Sequence, residues 1–182
     1  MDFQKVLTLV HQEFGKHGIQ YALMGGFAMG ALGVARATID IDLLILADDK
    51  VKVRAVLESL GYACAYESEN VSQYTSHEQV YGEIDCIHAF RGPSLKMLAR
   101  AKQVSVFSGT YTVNVLLPED IIGLKLQASV NDPSRKEKEM QDIESLAQTY
   151  GKKLDWSIVQ EHYGLFEKNT EYMHLKERYG NL

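Results

Sequence analysis

Apolar residues recur every three or four positions in several segments, a spacing that predicts amphipathic helices. In the first such segment, residues 3–17, the apolar positions are Phe3, Val6, Leu7, Val10 and Phe14. Runs rich in β-branched and aromatic residues predict strands at 19–24, 38–46, 62–66, 71–75 and 80–88, then a hairpin of 103–107 and 111–117 turning at Ser108-Gly109. Further helices are predicted at 27–32, from Asp48 or Asp49 to Gly61, at 94–102, from Pro118, and at 137–149, 156–166 and 170–178.

The order of these segments predicts the fold class α+β, with a helical C-terminal third. The chain has 182 residues, 46% of them hydrophobic, which is enough to bury a sizeable core. We expect residues 1–117 to form that core and residues 118–182 to form a C-terminal helical region packed on it.

Charge argues against a protein that coats nucleic acid or anionic membrane. There are 19 Lys and Arg against 24 Asp and Glu, a net charge of −5. One segment, residues 87–117, nevertheless contains no acidic residue and carries Arg91, Lys96, Arg100 and Lys102. It could steer an RNA end or a triphosphate, or it could be a solvated helix face.

Cysteine usage favours a reducing compartment. The two cysteines, Cys64 and Cys86, lack the spacing of a zinc or redox motif and are too few for a disulfide framework. The first residues do not have the pattern of a signal peptide, and no run of about 18 apolar residues predicts a membrane span. We therefore expect a cytoplasmic protein with no membrane partner.

Asp40 and Asp42 are the strongest candidates for chemistry. They are two residues apart on a predicted strand, so their carboxylates project from the same face. One interpretation is the solvated face of a half-buried edge strand. The other is a site for a pair of magnesium ions, which carboxylates and substrate phosphates can share in phosphoryl-type transfer.

Two further features would complete such a site. Gly25-Gly26 follows a predicted strand and would let backbone N–H groups approach phosphate oxygens, although a tight turn explains the pair equally well. A third carboxylate would come from the strand at residues 80–88, where Glu83 and Asp85 share a face. We prefer Asp85 because it is flanked by more apolar residues.

Lys125 lies within the apolar stripe of the helix that starts at Pro118. Lysine is rarely buried without a partner. Its stem could cover the edge of the core while the ammonium reaches solvent, or the ammonium could bind a triphosphate.

Taken together, Gly25-Gly26, Asp40-Ile41-Asp42 and Asp85 resemble the nucleotidyltransferase superfamily with the polymerase-beta-like fold. The resemblance is greatest to small bacterial nucleotidyltransferases of the abortive-infection and toxin–antitoxin type. Residues 117–128 are similar to the helix that follows the catalytic sheet in that group, and Asp142-Ile143 to a later helical segment. The similarity covers residues 20–146, with Gly26 where many members have serine and Glu139 where the group usually has aspartate.

The resemblance implies a mixed β-sheet flanked by helices and a defined chemistry. A nucleoside monophosphate would pass from a nucleoside triphosphate, such as ATP, to a protein, an RNA end such as that of tRNA, or a small molecule, with release of pyrophosphate. By this resemblance, Mg²⁺ would be bound by the catalytic residues Asp40, Asp42 and Asp85, and the nucleotide by Gly25, Gly26, Arg36 and Lys125.

Two other functions are compatible with the sequence. The chain could be a non-catalytic interaction protein of this fold, such as an antitoxin that binds its partner protein through the C-terminal helices. It could instead be a metal-dependent phosphohydrolase that activates water. The presence of all three acids favours the transferase.

Overall fold

The structure is a computed structural model that describes residues 1–182. The helices are α1 (Phe3–Lys16), α2 (Gly25–Ala31), α3 (Lys50–Ser59), α4 (Gly92–Ala99), α5 (Pro118–Asn131), α6 (Lys136–Tyr150), α7 (Trp156–Gly164) and α8 (Asn169–Tyr179). The strands are β1 (Tyr21–Met24), β2 (Asp40–Leu46), β3 (Ala63–Glu67), β4 (Val71–Thr75), β5 (Glu83–Ala89), β6 (Lys102–Val106) and β7 (Tyr111–Val115). These elements confirm the predicted α+β fold class.

All seven strands form one mixed sheet in the order β3-β4-β5-β2-β1-β7-β6. Strand β2 pairs in parallel with β5, and β1 pairs in parallel with β7, whereas the other pairs are antiparallel. In the middle of β2, Leu43, Leu44 and Ile45 are fully buried. A continuous buried run is expected where both faces of a strand are covered, so β2 is a central strand.

The chain divides into two compact units. The first comprises Met1–Ala31 and Ala35–Leu116 and contains the whole sheet with α1–α4. The second comprises Leu32–Val34 and Leu117–Leu182 and contains α5–α8. The predicted packing of residues 118–182 on a core of residues 1–117 stays a prediction. No helix in the chain combines the length and apolar character needed to cross a membrane.

Helix α1 follows the pattern of its sequence closely. Four of its five predicted apolar positions, Val6, Leu7, Val10 and Phe14, are at most 1% exposed, whereas Phe3 is half-buried. The Asp2 carboxylate caps the helix by accepting a hydrogen bond from the backbone N–H of Lys5 at 3.0 Å. Burial of one apolar face and an N-cap are the two interactions that stabilise a helix of this length.

Several helix starts differ from the sequence prediction. Helix α2 begins at Gly25 rather than at residue 27. Helix α4 begins at Gly92 rather than at residue 94, because Pro93 is accommodated in a first turn, where no N–H is needed. Helix α3 begins at Lys50 after a 3₁₀ turn at Ala47–Asp49, and Asp49 makes no capping hydrogen bond. Its carboxylate instead accepts a hydrogen bond from the Lys52 ammonium at 2.7 Å.

The second unit is held together by polar contacts as well as by its apolar core. In α7 the His162 ring lies 2.9 Å from the Asp120 carboxylate of α5, and both side chains are buried. Helix α5 comes close at this point because of Gly123, where a Cβ atom would lie 2.6 Å from the His162 ring. The Trp156 indole N–H donates to the Gly151 carbonyl at 3.1 Å.

Candidate active site

The three predicted carboxylates come together on adjacent parallel strands. Strand β2 supplies Asp40 and Asp42, and the register of β5 places Asp85 directly opposite Asp42. One carboxylate oxygen from each of these residues lies within 4.8 Å of the other two. The alternative of an edge strand for Asp40 and Asp42 is wrong, because β2 lies between β5 and β1.

Glu83 shares the strand face with Asp85 but not its surroundings. It lies opposite Asp40, at the start of β5, and it is exposed, whereas Asp85 is half-buried. The cluster of ligand oxygens contains Asp85 and not Glu83. The geometry therefore favours Asp85 as the third carboxylate, and its role as a metal ligand stays a prediction.

Electrostatic repulsion within the cluster is visible at Asp85. Burial raises the pKa of the Asp85 carboxyl above its ordinary value, and the nearby charge of Asp40 raises it further. A hydrogen bond from the Gln73 side chain acts in the opposite direction and lowers the pKa. The ionised site therefore carries an unfavourable energy that a bound cation would relieve.

This repulsion predicts that Asp85→Asn stabilises the metal-free protein at neutral pH. A carboxyl with a raised pKa in the folded state contributes stability below its unfolded pKa and loses that stability as pH rises through the folded pKa. Asparagine resembles the neutral acid, so the variant should unfold at a higher temperature than the parent at pH 7 in a chelator. The difference should vanish below about pH 4, near the ordinary pKa of aspartate. A lower unfolding temperature for the variant at pH 7 would show that ionised Asp85 does not destabilise the metal-free protein.

Contacts that the sequence did not reveal explain why glycine occupies positions 25 and 26. Gly25 has a positive φ of +66°, and a Cβ atom there would lie 1.8 Å from the Asp42 carboxylate oxygen Oδ2. At Gly26 a Cβ atom would lie 2.7 Å from Thr38 Cβ. The missing side chains thus make room for Asp42 and Thr38, and the predicted phosphate contacts of Gly25 and Gly26 stay a prediction.

We expect Gly25→Ala to destabilise the protein more than Gly18→Ala. Both positions have nearly the same positive φ, +66° and +63°, but no atom lies within 4 Å of a Cβ at Gly18. The conformational cost of about 1–2 kcal/mol is common to both. Displacing the Asp42 carboxylate should add a further ~1–3 kcal/mol, the usual cost of overpacking. Equal losses in denaturant unfolding would show that Asp42 does not constrain Gly25.

Two residues beside the cluster were not identified from the sequence. The Thr38 hydroxyl donates a hydrogen bond to Asp40 Oδ1 at 2.5 Å. Gln73 of β4 lies opposite Asp85 and bonds to its carboxyl. Thr38 could have been found from strand alternation, since it is two residues before Asp40, whereas Gln73 requires the pairing of β4 with β5.

A cleft of about 580 Å³ lies beside Thr38 in the first unit. Its lining includes Gly26, Arg36 and Thr38, together with aromatic rings on one side. The rings of Phe3 and Phe27 stack at 5.2 Å, and Phe107 lies 5.9 Å from Phe27. The cleft combines an apolar wall with one guanidinium and has the size of small-ligand sites.

The basic segment follows the other end of β5 from the acids. Asp85 is near the start of β5, whereas Arg91 comes after the last residue of the strand, Ala89. Four residues of strand carry the backbone about 13 Å at ~3.3 Å per residue. Arg91, Lys96 and Lys102 are all exposed. The position of Arg91 favours a solvated surface, whereas the register of β6, β7 and β1 puts Lys102 at the end of the sheet that holds Asp42. The steering of RNA or triphosphate stays a prediction.

Lys125 has two acidic partners within the second unit. Its ammonium lies 2.9 Å from Glu139 Oε2 and 2.7 Å from Asp142 Oδ2, and its side chain is 12% exposed. Glu139 is fully buried and also accepts a hydrogen bond from Arg135 Nε at 3.0 Å. The Lys125 ammonium is therefore held by carboxylates rather than extended into solvent, and its binding of a triphosphate stays a prediction.

Removing the Lys125 charge should destabilise the fold. Lys125→Met would leave Glu139 and Asp142 with less counter-charge in a buried setting, which typically costs ~3–5 kcal/mol. Denaturant unfolding should show this loss. Adding Glu139→Gln and Asp142→Asn to the same chain should recover part of it, because those changes remove the uncompensated charges. If Lys125→Met unfolds at the same denaturant concentration as the parent, the ion pairs contribute nothing to the free energy of unfolding.

Comparison with known proteins agrees with the fold. A family model described as an uncharacterised nucleotidyltransferase matches residues 3–178. No curated protein matches the chain in sequence. The match at the level of the family thus spans both units.

Solved structures of nucleotidyltransferases share the fold. The antibiotic-resistance factor ANT(2'')-Ia, in solution, is 21% identical with a TM-score of 0.67 over 98% of this chain and 98% of that chain. A crystal structure of ANT(2'')-Ia with adenylyl-2''-tobramycin is 19% identical with a TM-score of 0.60, covering 96% and 97%. The lincosamide antibiotic adenylyltransferase LnuA, bound to lincomycin, is 18% identical with a TM-score of 0.58, covering 80% and 96%.

At these identities the structural likeness establishes the fold alone. The narrower resemblance to abortive-infection and toxin–antitoxin enzymes stays a prediction, as does a toxin–antitoxin partner. The family match, by contrast, covers nearly the whole chain. The protein belongs to this nucleotidyltransferase family.

Proposed function

We propose that the protein transfers a nucleoside monophosphate from a nucleoside triphosphate to a hydroxyl group of a small molecule, with release of pyrophosphate. The observation that carries the proposal is the cluster of Asp40, Asp42 and Asp85 on adjacent strands in a chain of this family. Paired carboxylates on one sheet face are suited to cation-assisted phosphoryl-type transfer.

The cluster fits a divalent cation. Its donors are carboxylate oxygens, which hard cations such as Mg²⁺ prefer. Burial, and to a lesser extent the charge of Asp40, raise the pKa of Asp85, so its ionised form is disfavoured without a cation. Asp40, Asp42 and Asp85 would hold Mg²⁺, which would neutralise charge on the phosphates and polarise the phosphoryl group under attack.

Asp85 would also receive a proton. The acceptor oxygen would form a bond to the α-phosphorus while the bond from that phosphorus to the pyrophosphate oxygen breaks. The hydroxyl proton would pass to Asp85, and pyrophosphate would leave with the bonding electron pair. A carboxylate oxygen within hydrogen-bond reach of the attacking hydroxyl can act as the general base.

The first unit also offers groups for the phosphates. Gly26, Arg36 and Thr38 line the same cleft, and Thr38 bonds to Asp40, so the cleft adjoins the acids. Backbone N–H groups at Gly25 and Gly26 and the Arg36 guanidinium would contact the triphosphate. Lys125 is proposed as a further phosphate contact from the family resemblance only.

A small-molecule acceptor is favoured by the proteins of similar fold. ANT(2'')-Ia was crystallised with adenylyl-2''-tobramycin, and LnuA is a lincosamide adenylyltransferase. The present chain and ANT(2'')-Ia cover 98% of each other. An acceptor of the size of an antibiotic is therefore the first class to examine.

The test is label transfer from α-³²P-labelled triphosphates in the presence of Mg²⁺. Separate reactions would contain tobramycin and lincomycin, total RNA, and a protein extract. We expect labelled small molecule with the parent and none with Asp40→Asn. Label found only on RNA or protein would contradict the small-molecule acceptor and leave nucleotidyl transfer in place.

A further inference from the structure

We propose that Thr38 is a positioning residue, which fixes the orientation of the Asp40 carboxylate for cation binding. The inference rests on the proposed function, because it concerns the same acidic cluster. Thr38 precedes β2 and is half-buried, and its hydroxyl donates to Asp40 Oδ1 at 2.5 Å. A hydrogen bond to one carboxylate oxygen restricts rotation of the group and leaves the other oxygen for a cation.

The Thr38 side chain is itself confined. Its Cβ and Oγ1 lie 2.7 Å and 2.8 Å from the position that a Cβ on Gly26 would occupy. The backbone of α2 therefore lies directly against Thr38. This close approach limits the rotation of the Thr38 side chain and brings no charged group to it. Packing therefore sets the geometry of the hydrogen bond between Thr38 and Asp40.

Each of the three acids is held by a contact with a different residue. Asp42 lies against the Cα of Gly25, Asp85 is bonded by Gln73, and Asp40 is bonded by Thr38. Thr38 and Gln73, which donate to Asp40 and Asp85, are neutral. A cationic partner would cancel the charge on which metal affinity depends, whereas a neutral donor orients a carboxylate and preserves its charge.

The experiment compares Thr38→Ala with Thr38→Ser, two variants that differ by one oxygen atom. The affinity of the whole protein for Mn²⁺, a spectroscopic substitute for Mg²⁺, would be measured from free Mn²⁺ by electron paramagnetic resonance. We expect Thr38→Ala to bind Mn²⁺ at least ~10-fold more weakly, the usual effect of removing an outer hydrogen-bond partner of a ligand. Thr38→Ser should bind within about threefold of the parent because it retains the donor.

Controls separate this inference from the function on which it rests. Thr112→Ala changes an exposed threonine on β7 and should leave Mn²⁺ affinity unchanged. If Asp40→Asn binds Mn²⁺ as well as the parent, the proposed cation site is wrong. If Asp40→Asn loses affinity but Thr38→Ala does not, or if Thr38→Ser loses as much as Thr38→Ala, the positioning role of Thr38 is overturned. Thermal unfolding without metal identifies a variant that fails to fold, and Thr38→Val then replaces Thr38→Ala.

Discussion

Replacing Asp40 or Asp42 with asparagine is expected to abolish magnesium-dependent nucleotidyl transfer while the protein stays folded. Each change removes one negative charge from a cluster whose ligand oxygens lie within 4.8 Å of one another. Loss of one pre-organised electrostatic contact commonly reduces turnover by ~10²–10³-fold, so at least this loss is expected. The measurement is the rate of pyrophosphate release, together with the thermal unfolding curve of each variant.

Asp48→Asn is the matched control for these two variants. Asp48 follows the end of the same strand, is exposed and lies outside the cluster, so transfer should continue at the parent rate. Because substitution relieves repulsion, the unfolding temperature of Asp40→Asn and Asp42→Asn without metal should hold or rise. Unfolding of either variant would mean that these acids are structural, and the proposed site would then be wrong.

Asp85→Asn should separate binding from transfer. Asp40 and Asp42 would still hold the cation that contacts the phosphates, so triphosphate binding should remain measurable. Transfer should nevertheless fall at least ~100-fold, the lower end of the contribution of a positioned general base. Binding would be followed by calorimetry and transfer by pyrophosphate release under the same conditions.

Glu83→Gln provides the comparison on the same strand face. Glu83 is exposed and does not belong to the ligand cluster, so its replacement should leave transfer close to normal. Near-normal transfer in Asp85→Asn alongside a large loss in Glu83→Gln would identify Glu83 rather than Asp85 as the third carboxylate. A loss in neither variant would mean that the third acid lies elsewhere or that transfer is not the reaction.

Local patterns in the sequence were sufficient for the elements that build the site. The apolar periodicity of α1 and the alternation in β2 depend only on neighbours in the chain, and both were predicted within a few residues. The position of Asp40 and Asp42 on one face follows from the geometry of any strand. The nearness of Asp85 to them depends on the parallel register of β2 with β5, which is a long-range pairing.

What the sequence could not supply were contacts between distant residues and atomic distances. The bond of Gln73 to Asp85 depends on strand pairing, and the ion pairs of Lys125 depend on the packing of α5 against α6. The close approach of Gly25 to Asp42 is a distance that no periodicity encodes. Helix α3 starts after Asp48 and Asp49 because a 3₁₀ turn precedes the helix, and Asp49 pairs with Lys52.

The central claim is that the Asp40, Asp42 and Asp85 cluster directs transfer of the α-phosphoryl group. It is tested most directly by parallel reactions with α-³²P- and γ-³²P-labelled triphosphate, Mg²⁺ and a heat-inactivated whole-cell extract as the source of acceptors. We expect α-label on an acceptor, γ-label in pyrophosphate, and neither product with Asp40→Asn. Release of γ-label as free phosphate, with α-label retained in the diphosphate, would instead identify a phosphohydrolase and contradict the account.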